Sequence, residues 1–125
     1  MDALIRFGFS VDEIKNIMNS NEDINNITDQ DINKIIKILE KFNCKINHIK
    51  NIIITNPFVL TRDFDEIEKT INILNNNLDS IYLVLDTNPF ILNISDREIE
   101  ILINQLVRDN ININDYFLFK ANEII

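Results

Sequence analysis

The sequence predicts an all-α fold, a solenoid of three two-helix repeats with a partial unit at each end. Three observations predict it. The block Thr55-Asn56-Pro57-Phe58-Val59-Leu60 returns as Thr87-Asn88-Pro89-Phe90-Ile91-Leu92, thirty-two positions later. Apolar residues in each unit follow the i, i+3, i+4 spacing of a helix face. The 125 residues include one Gly and two Pro, too few for a turn-rich β-fold and enough for helices with short polar joints.

The repeat extends beyond the hexapeptide. Ile49, Asn56, Ile67, Ile71 and Leu74 align at the same offset with Ile81, Asn88, Ile99, Ile103 and Leu106, and thirty-five positions earlier with Ile14, Asn21, Ile32, Ile36 and Leu39. The first and last landmarks of every unit are 25 residues apart, so length changes fall only between units, as in a rigid module joined by tolerant loops. The units run over about 10–42, 45–75 and 79–109, within a single domain 1–125. Residues 1–9 read as the tail of a preceding unit. Residues 111–125 read as the start of a fourth, with Asp115-Tyr116-Phe117-Leu118 aligned on Ile81-Tyr82-Leu83-Val84.

Within a unit the first helix carries Ile14, Ile17 and Met18, then Ile49, Ile52 and Ile53, then Ile81, Val84 and Leu85. The second carries Ile32, Ile35, Ile36 and Leu39, followed by Ile67, Thr70, Ile71 and Leu74, and by Ile99, Leu102, Ile103 and Leu106. Its start is marked three times by a short oxygen side chain with an acid three residues on: Thr28 with Asp31, Asp63 with Glu66, Ser95 with Glu98. Ser10 with Glu13 repeats the signal for the first helix of unit one. Such pairs satisfy free backbone N–H groups at a helix start reciprocally. Between the helices, Pro drives the preceding Asn out of the α-region. A single 3₁₀ turn that buries Phe58 or Phe90 is the expected result.

Twelve basic against twenty acidic side chains leave a formal charge of −8. The imbalance is concentrated: residues 1–50 hold seven basic and eight acidic groups, residues 51–125 five and twelve. A field of this sign repels phosphate backbones, so any polyanion contact belongs to the N-terminal part. Ile and Asn together supply 48 residues, a bias that A- and T-rich codons produce. No apolar run is long enough to span a bilayer. Cys44 is alone, which excludes a disulfide framework and a thiolate cluster and fits a reducing compartment. With no secretory or transit signature at the N-terminus, a cytoplasmic location is expected.

Catalytic chemistry is not advertised. His48 is the only histidine, read as a surface or capping group, and Cys44 as a small semi-buried side chain at a joint. No nucleophile elbow or glycine-rich phosphate loop is present, and the carboxylates are explained by helix N-termini. No enzyme activity, cofactor or metal is expected.

A two-helix repeat of this length, with a proline-containing turn followed by an aliphatic residue and Leu, resembles the mitochondrial transcription termination factor (mTERF) repeat. Phe7-Gly8-Phe9-Ser10-Val11-Asp12-Glu13-Ile14 is similar to the family's opening of leucine, glycine, phenylalanine, serine, two acids and isoleucine, with Phe7 in the leucine position. Pro57 to Leu60 and Pro89 to Leu92 resemble its proline-x-aliphatic-leucine stop. The resemblance implies a right-handed helical solenoid whose concave face binds nucleic acid. The acidic charge, and Glu22 where later units have Pro57 and Pro89, depart from the pattern.

Two surfaces stand out. With Ile32, Ile36 and Leu39 inward, Lys34, Lys37 and Lys41 lie on the opposite side of the helix, with Lys45 and Lys50 following. This strip is either a solvated face or a phosphate-contacting one. The second surface is apolar: Lys15-Asn16 and Lys50-Asn51 align with Tyr82-Leu83 and Tyr116-Phe117, off the core stripe. A helix from about Asn112 to Ala121 is expected to pack Leu118 and Phe119 inward and to leave Tyr116 and Phe117 outward beside Tyr82 and Leu83, with Ile124 and Ile125 at the end. The expected function is non-catalytic binding of a protein partner or a second copy through that face. Nucleic-acid binding through the Lys34 to Lys50 strip is the alternative.

Overall fold

The computed structural model of the chain describes residues 2–119. Among the described residues there are eight α-helices, three 3₁₀ turns and no strand, the all-α helical-repeat class expected. The helices are α1 (Asp2–Phe7), α2 (Val11–Ser20), α3 (Asp29–Lys41), α4 (Ile46–Thr55), α5 (Phe64–Asn77), α6 (Ile81–Thr87), α7 (Asp96–Arg108) and α8 (Ile113–Phe119). The 3₁₀ turns span Glu22–Asn26, Pro57–Thr61 and Pro89–Asn93. The chain divides after Phe64 into two compact units. That division falls one residue into α5, inside the second sequence repeat.

In the first unit each helix buries the stripe its spacing dictates: Ile14 and Ile17 on α2, Ile49, Ile52 and Ile53 on α4, and Ile32, Ile35, Ile36 and Leu39 on α3. Ile38 is buried as well, although it lies off that stripe. The short α1 packs against α3 and buries Ala3 and Leu4. The Ala3 N–H donates to Asp29 Oδ1 at 3.1 Å, tying the start of α1 to the first turn of α3. In the second unit α5 buries Ile67, Thr70, Ile71 and Leu74, α6 buries Ile81, Val84 and Leu85, and α7 buries Ile99, Ile103 and Leu106. Thr70 stays inside because its Oγ1 donates to the Ile94 carbonyl at 3.3 Å.

Three of the helix starts follow the sequence signals. Ser10 Oγ accepts from the Glu13 N–H at 3.1 Å while Glu13 Oε1 accepts from the Ser10 N–H at 2.8 Å. Thr28 and Asp31 form the same reciprocal pair, and Ser95 Oγ accepts from the Glu98 N–H at 3.2 Å. Each such cap is worth about 1 kcal/mol.

The helix ends also repeat. Gly8, Asn43 and Asn110 have φ of +116°, +69° and +57°, the left-handed region that favours Gly and then Asn. At each, the next amide turns back onto the helix: Phe9 N–H to the Leu4 carbonyl at 3.1 Å, Cys44 to Leu39 at 3.1 Å, Ile111 to Leu106 at 2.9 Å. This is a Schellman closure, and the three leucines whose carbonyls accept are all buried.

The three 3₁₀ turns depart from expectation at one position. Phe58 and Phe90 are 48% and 40% exposed. The fully buried residue is the next one, Val59 and Ile91, and its counterpart Ile24 in the first turn. Asn56 and Asn88 end their helices by donating to the Ile52 and Val84 carbonyls at 2.8 Å and accept from the Val59 and Ile91 amides, which turns the β-branched side chain inward and the phenyl outward. The first turn forms without proline, because the Asn21 side chain accepts from the Asp23 N–H at 3.0 Å.

A Cβ added at Gly8 would meet nothing within 4 Å, so a substitution there acts through backbone strain alone. Gly8→Ala is expected to lower the unfolding free energy by about 1–2 kcal/mol, while Asn43→Gly stays within about 0.5 kcal/mol of the parent. Urea denaturation of the two variants checks this; equal stabilities would contradict the closure.

Candidate functional site

At 100° per residue, Lys34, Lys37 and Lys41 fall within roughly 60° of one another around the α3 axis, opposite the stripe of Ile32, Ile36 and Leu39. All three are exposed, and no described carboxylate pairs with them. Lys34 Nζ stands 6.0 Å from the centroid of the Phe64 ring and Lys41 Nζ 5.7 Å from that of Phe42. These contacts orient the stems at an energy of about 0.5–1 kcal/mol in an exposed setting and leave the ammonium groups in water. Lys45, just before α4, is also exposed.

Lys50 does not belong to this face. It is half-buried and donates to the Gly8 carbonyl at 3.1 Å, lies 3.6 Å from Glu13 Oε1 and sits over the Phe9 ring at 5.6 Å. It staples α4 to the joint between α1 and α2, so its charge is committed to structure. The Ser10 backbone N–H, ahead of Lys50, holds the Glu13 carboxyl below its ordinary range. The Ala3 N–H does the same for Asp29, helped by Arg6.

Two depressions flank α3 in the first unit. One, of about 400 Å³, is lined by Asp23, Asp31, Ile35, Leu60, Arg62 and Phe64 among others. The other, of about 570 Å³, is lined by Phe7, Glu40, Cys44, Lys45, Ile46 and Ile49 with Asn47. Cys44, one of its lining residues, is buried. His48 acts as a capping group: its Nδ1 accepts from the Lys45 N–H at 3.2 Å at the start of α4. Among the described residues no group of His, Cys, Asp and Glu is placed to hold a metal ion.

The apolar surface of the second unit differs from expectation. Tyr82 and Tyr116 are half-buried and Leu83 is 45% exposed, but Phe117 is 1% exposed and belongs to the core. Leu118 is half-buried and Phe119, expected inside, is 76% exposed. The cause is register. Ile113 begins α8 as Ile81 begins α6, thirty-two residues apart, so Tyr116 and Phe117 match Val84 and Leu85, where the sequence alignment set Asp115 on Ile81. Two residues are about 200° of helix rotation, which turns Phe117 from solvent to core. The i, i+3, i+4 set Ile113, Tyr116, Phe117 was the available signal. Ala121, Ile124 and Ile125 lie outside the described residues.

The fold defines an all-α helical-repeat protein. The chain belongs to the mTERF family, whose model matches residues 1–116. No curated protein and no solved structure shows a significant match to it. No helix of the described residues is long and apolar enough to cross a membrane.

The register of α8 separates two adjacent phenylalanines. Phe117→Ala should destabilise by about 3–5 kcal/mol and Phe119→Ala by no more than about 0.5 kcal/mol in chemical denaturation; the reverse order would restore the outward Phe117. The caps add a pH effect. Because the folded state holds Glu13 and Asp29 below their ordinary ranges, their contribution is complete above those ranges and is lost as pH falls through the depressed folded values. The thermal midpoint should therefore fall on acidification below about pH 4, with a shallower fall in Glu13→Gln, which keeps the cap acceptor but cannot titrate.

Proposed function

We propose that this chain is a non-catalytic module that binds nucleic acid through phosphate contacts from Lys34, Lys37 and Lys41, with Lys45 continuing the line. One observation carries the reading: three exposed lysines share one face of α3, free of carboxylate partners, in a unit whose charges nearly cancel. Residues 1–64 hold eight basic and nine acidic side chains, so the repulsion that the net charge of −8 implies originates mostly elsewhere. At physiological salt the Debye length is about 8 Å, and a local cationic face acts largely on its own. The mTERF family, generally non-enzymatic nucleic-acid-binding repeat proteins, supports the same reading. Lysines are point-charge phosphate contacts without bidentate base recognition, so the binding is backbone-directed and sequence-tolerant.

Fluorescence anisotropy with a labelled DNA duplex and a labelled single-stranded RNA, titrated from low to physiological salt, tests it. Four contacts predict a slope of log K against log salt of about −3.6 for the duplex and about −2.8 for the single strand. Lys34→Glu, Lys37→Glu and Lys41→Glu together should abolish binding at low salt while circular dichroism stays unchanged, since all three project away from the core. Absence of wild-type binding to both probes at low salt would refute the reading.

Self-association through the apolar face draws less support. Phe117 is core, and the remaining surface belongs to a strongly acidic half in which two copies would repel.

A further inference from the structure

The second unit has the opposite electrostatic character. Residues 65–119 carry ten acidic and three basic side chains, and this half also exposes apolar surface that its own helices leave uncovered. A depression of about 380 Å³ is lined by Ile111, Asn112, Asp115, Tyr116 and Phe119. Ile111 is 44% and Phe119 76% exposed, and the Tyr116 ring meets Phe117 edge-on at 5.5 Å, which anchors it to the core. Three carboxylates belong to this neighbourhood. Asp115 lines the depression itself, Asp109 stands two residues ahead of Ile111, and the Asp79 backbone N–H donates to Asn114 Oδ1 at 2.9 Å, which brings Asp79 to the start of α8. All three are exposed. Among the described residues of this flank Arg108 is the cation.

We infer that this depression is a docking site for a cationic amphipathic helix of another protein. Apolar anchors at i, i+3 and i+4 of the partner would seat between Ile111, Tyr116 and Phe119, and its Lys or Arg residues would face Asp79, Asp109 and Asp115. The charge decides the occupant. A second copy would bring another acidic half against this one, and a phosphate backbone or an anionic membrane would be repelled; a basic helix matches both the apolar floor and the rim. The site is built from residues of α8 and its approach and shares none with the α3 lysine face, so it is a different set of residues from the proposed nucleic-acid contact.

The probe is a fluorescein-labelled synthetic peptide of about four helical turns, with Leu and Phe at the i, i+3, i+4 and i+7 positions and Lys elsewhere. Its controls are a scrambled peptide of identical composition and a counterpart with Glu for Lys. Saturable anisotropy binding to the full chain is expected, at least about tenfold tighter than the scrambled peptide, with none for the Glu counterpart. Phe119→Asp should weaken it about tenfold or more, as should Ile111→Asp. Both side chains are exposed, so circular dichroism should match wild type; if Ile111→Asp loses the fold, Phe119→Asp alone decides. The triple α3 lysine variant should bind the peptide as wild type does, which keeps this result separate from the nucleic-acid test. Equal affinity for the scrambled peptide would show charge attraction without a site and overturn the proposal. So would an unchanged Phe119→Asp variant, or a wild-type dimer in analytical ultracentrifugation that Phe119→Asp dissolves, since the occupant would then be a second copy.

Discussion

Each helix of this chain presents one apolar stripe, and a slip of two residues carries that stripe about 200° around the axis, from core to solvent. Everything else depends on fixing the register, and the chain fixes it where helices end. Leu4, Leu39 and Leu106 occupy one position at the ends of α1, α3 and α7, each accepting the amide that closes the helix behind a residue of positive φ. The other exit is the Asn before the 3₁₀ turn, which delivers Ile24, Val59 and Ile91 to full burial. Burying such a side chain is worth about 1.5–3 kcal/mol, more than a single cap or surface ion pair. The inward set Ile32, Ile36 and Leu39 in turn leaves Lys34, Lys37 and Lys41 no place but the outer face of α3. The candidate binding surface is thus a consequence of core packing.

Charge is distributed by the same logic. Carboxylates in the first unit are occupied at helix starts: Glu13 and Asp31 close capping boxes and Asp29 receives α1. None of these three acids pairs with the lysines of α3, whereas Lys50 reaches both Glu13 and the Gly8 carbonyl and is drawn into the framework. Two lysines of one sequence strip therefore have different fates because α3 faces water at Lys41 while α4 faces the α1–α2 joint at Lys50. Among residues 65–119 ten acids stand against three cations, and Asp115 lines the apolar depression of that unit.

The repeat, the helical class and the caps were legible in the sequence because they are periodic or local. Ser10 with Glu13 and Thr28 with Asp31 need only neighbours three residues apart. What depended on tertiary neighbours was not legible. Ile38 is buried although it lies off the helical stripe, and Lys50 is claimed by a joint forty-two residues away. Phe58 and Phe90 were assigned to the core on hydrophobicity, although Asp23 occupies the same repeat position in the first turn and Ile24 the next, a pairing that already places the inward residue one step later. The α8 register failed for a related reason: Tyr-Phe resembles Tyr-Leu by residue type, whereas the spacing of Ile113, Tyr116 and Phe117 follows Ile81, Val84 and Leu85. Position within the repeat outweighed side-chain similarity in both cases.

The abundance of asparagine has a structural outlet. A chain with one glycine must still leave its helices, and Asn is the L-residue that enters the left-handed region at least cost. Asn43 and Asn110 do what Gly8 does, and Asn21 accepts at the head of a 3₁₀ turn where later units use proline. The joints place the residue at positions where its short amide competes with the backbone to advantage. Among the described residues the joints are short, four residues or fewer between consecutive elements. Most of the surface is therefore helix exterior with shallow depressions between, a geometry suited to recognition by charge and shape.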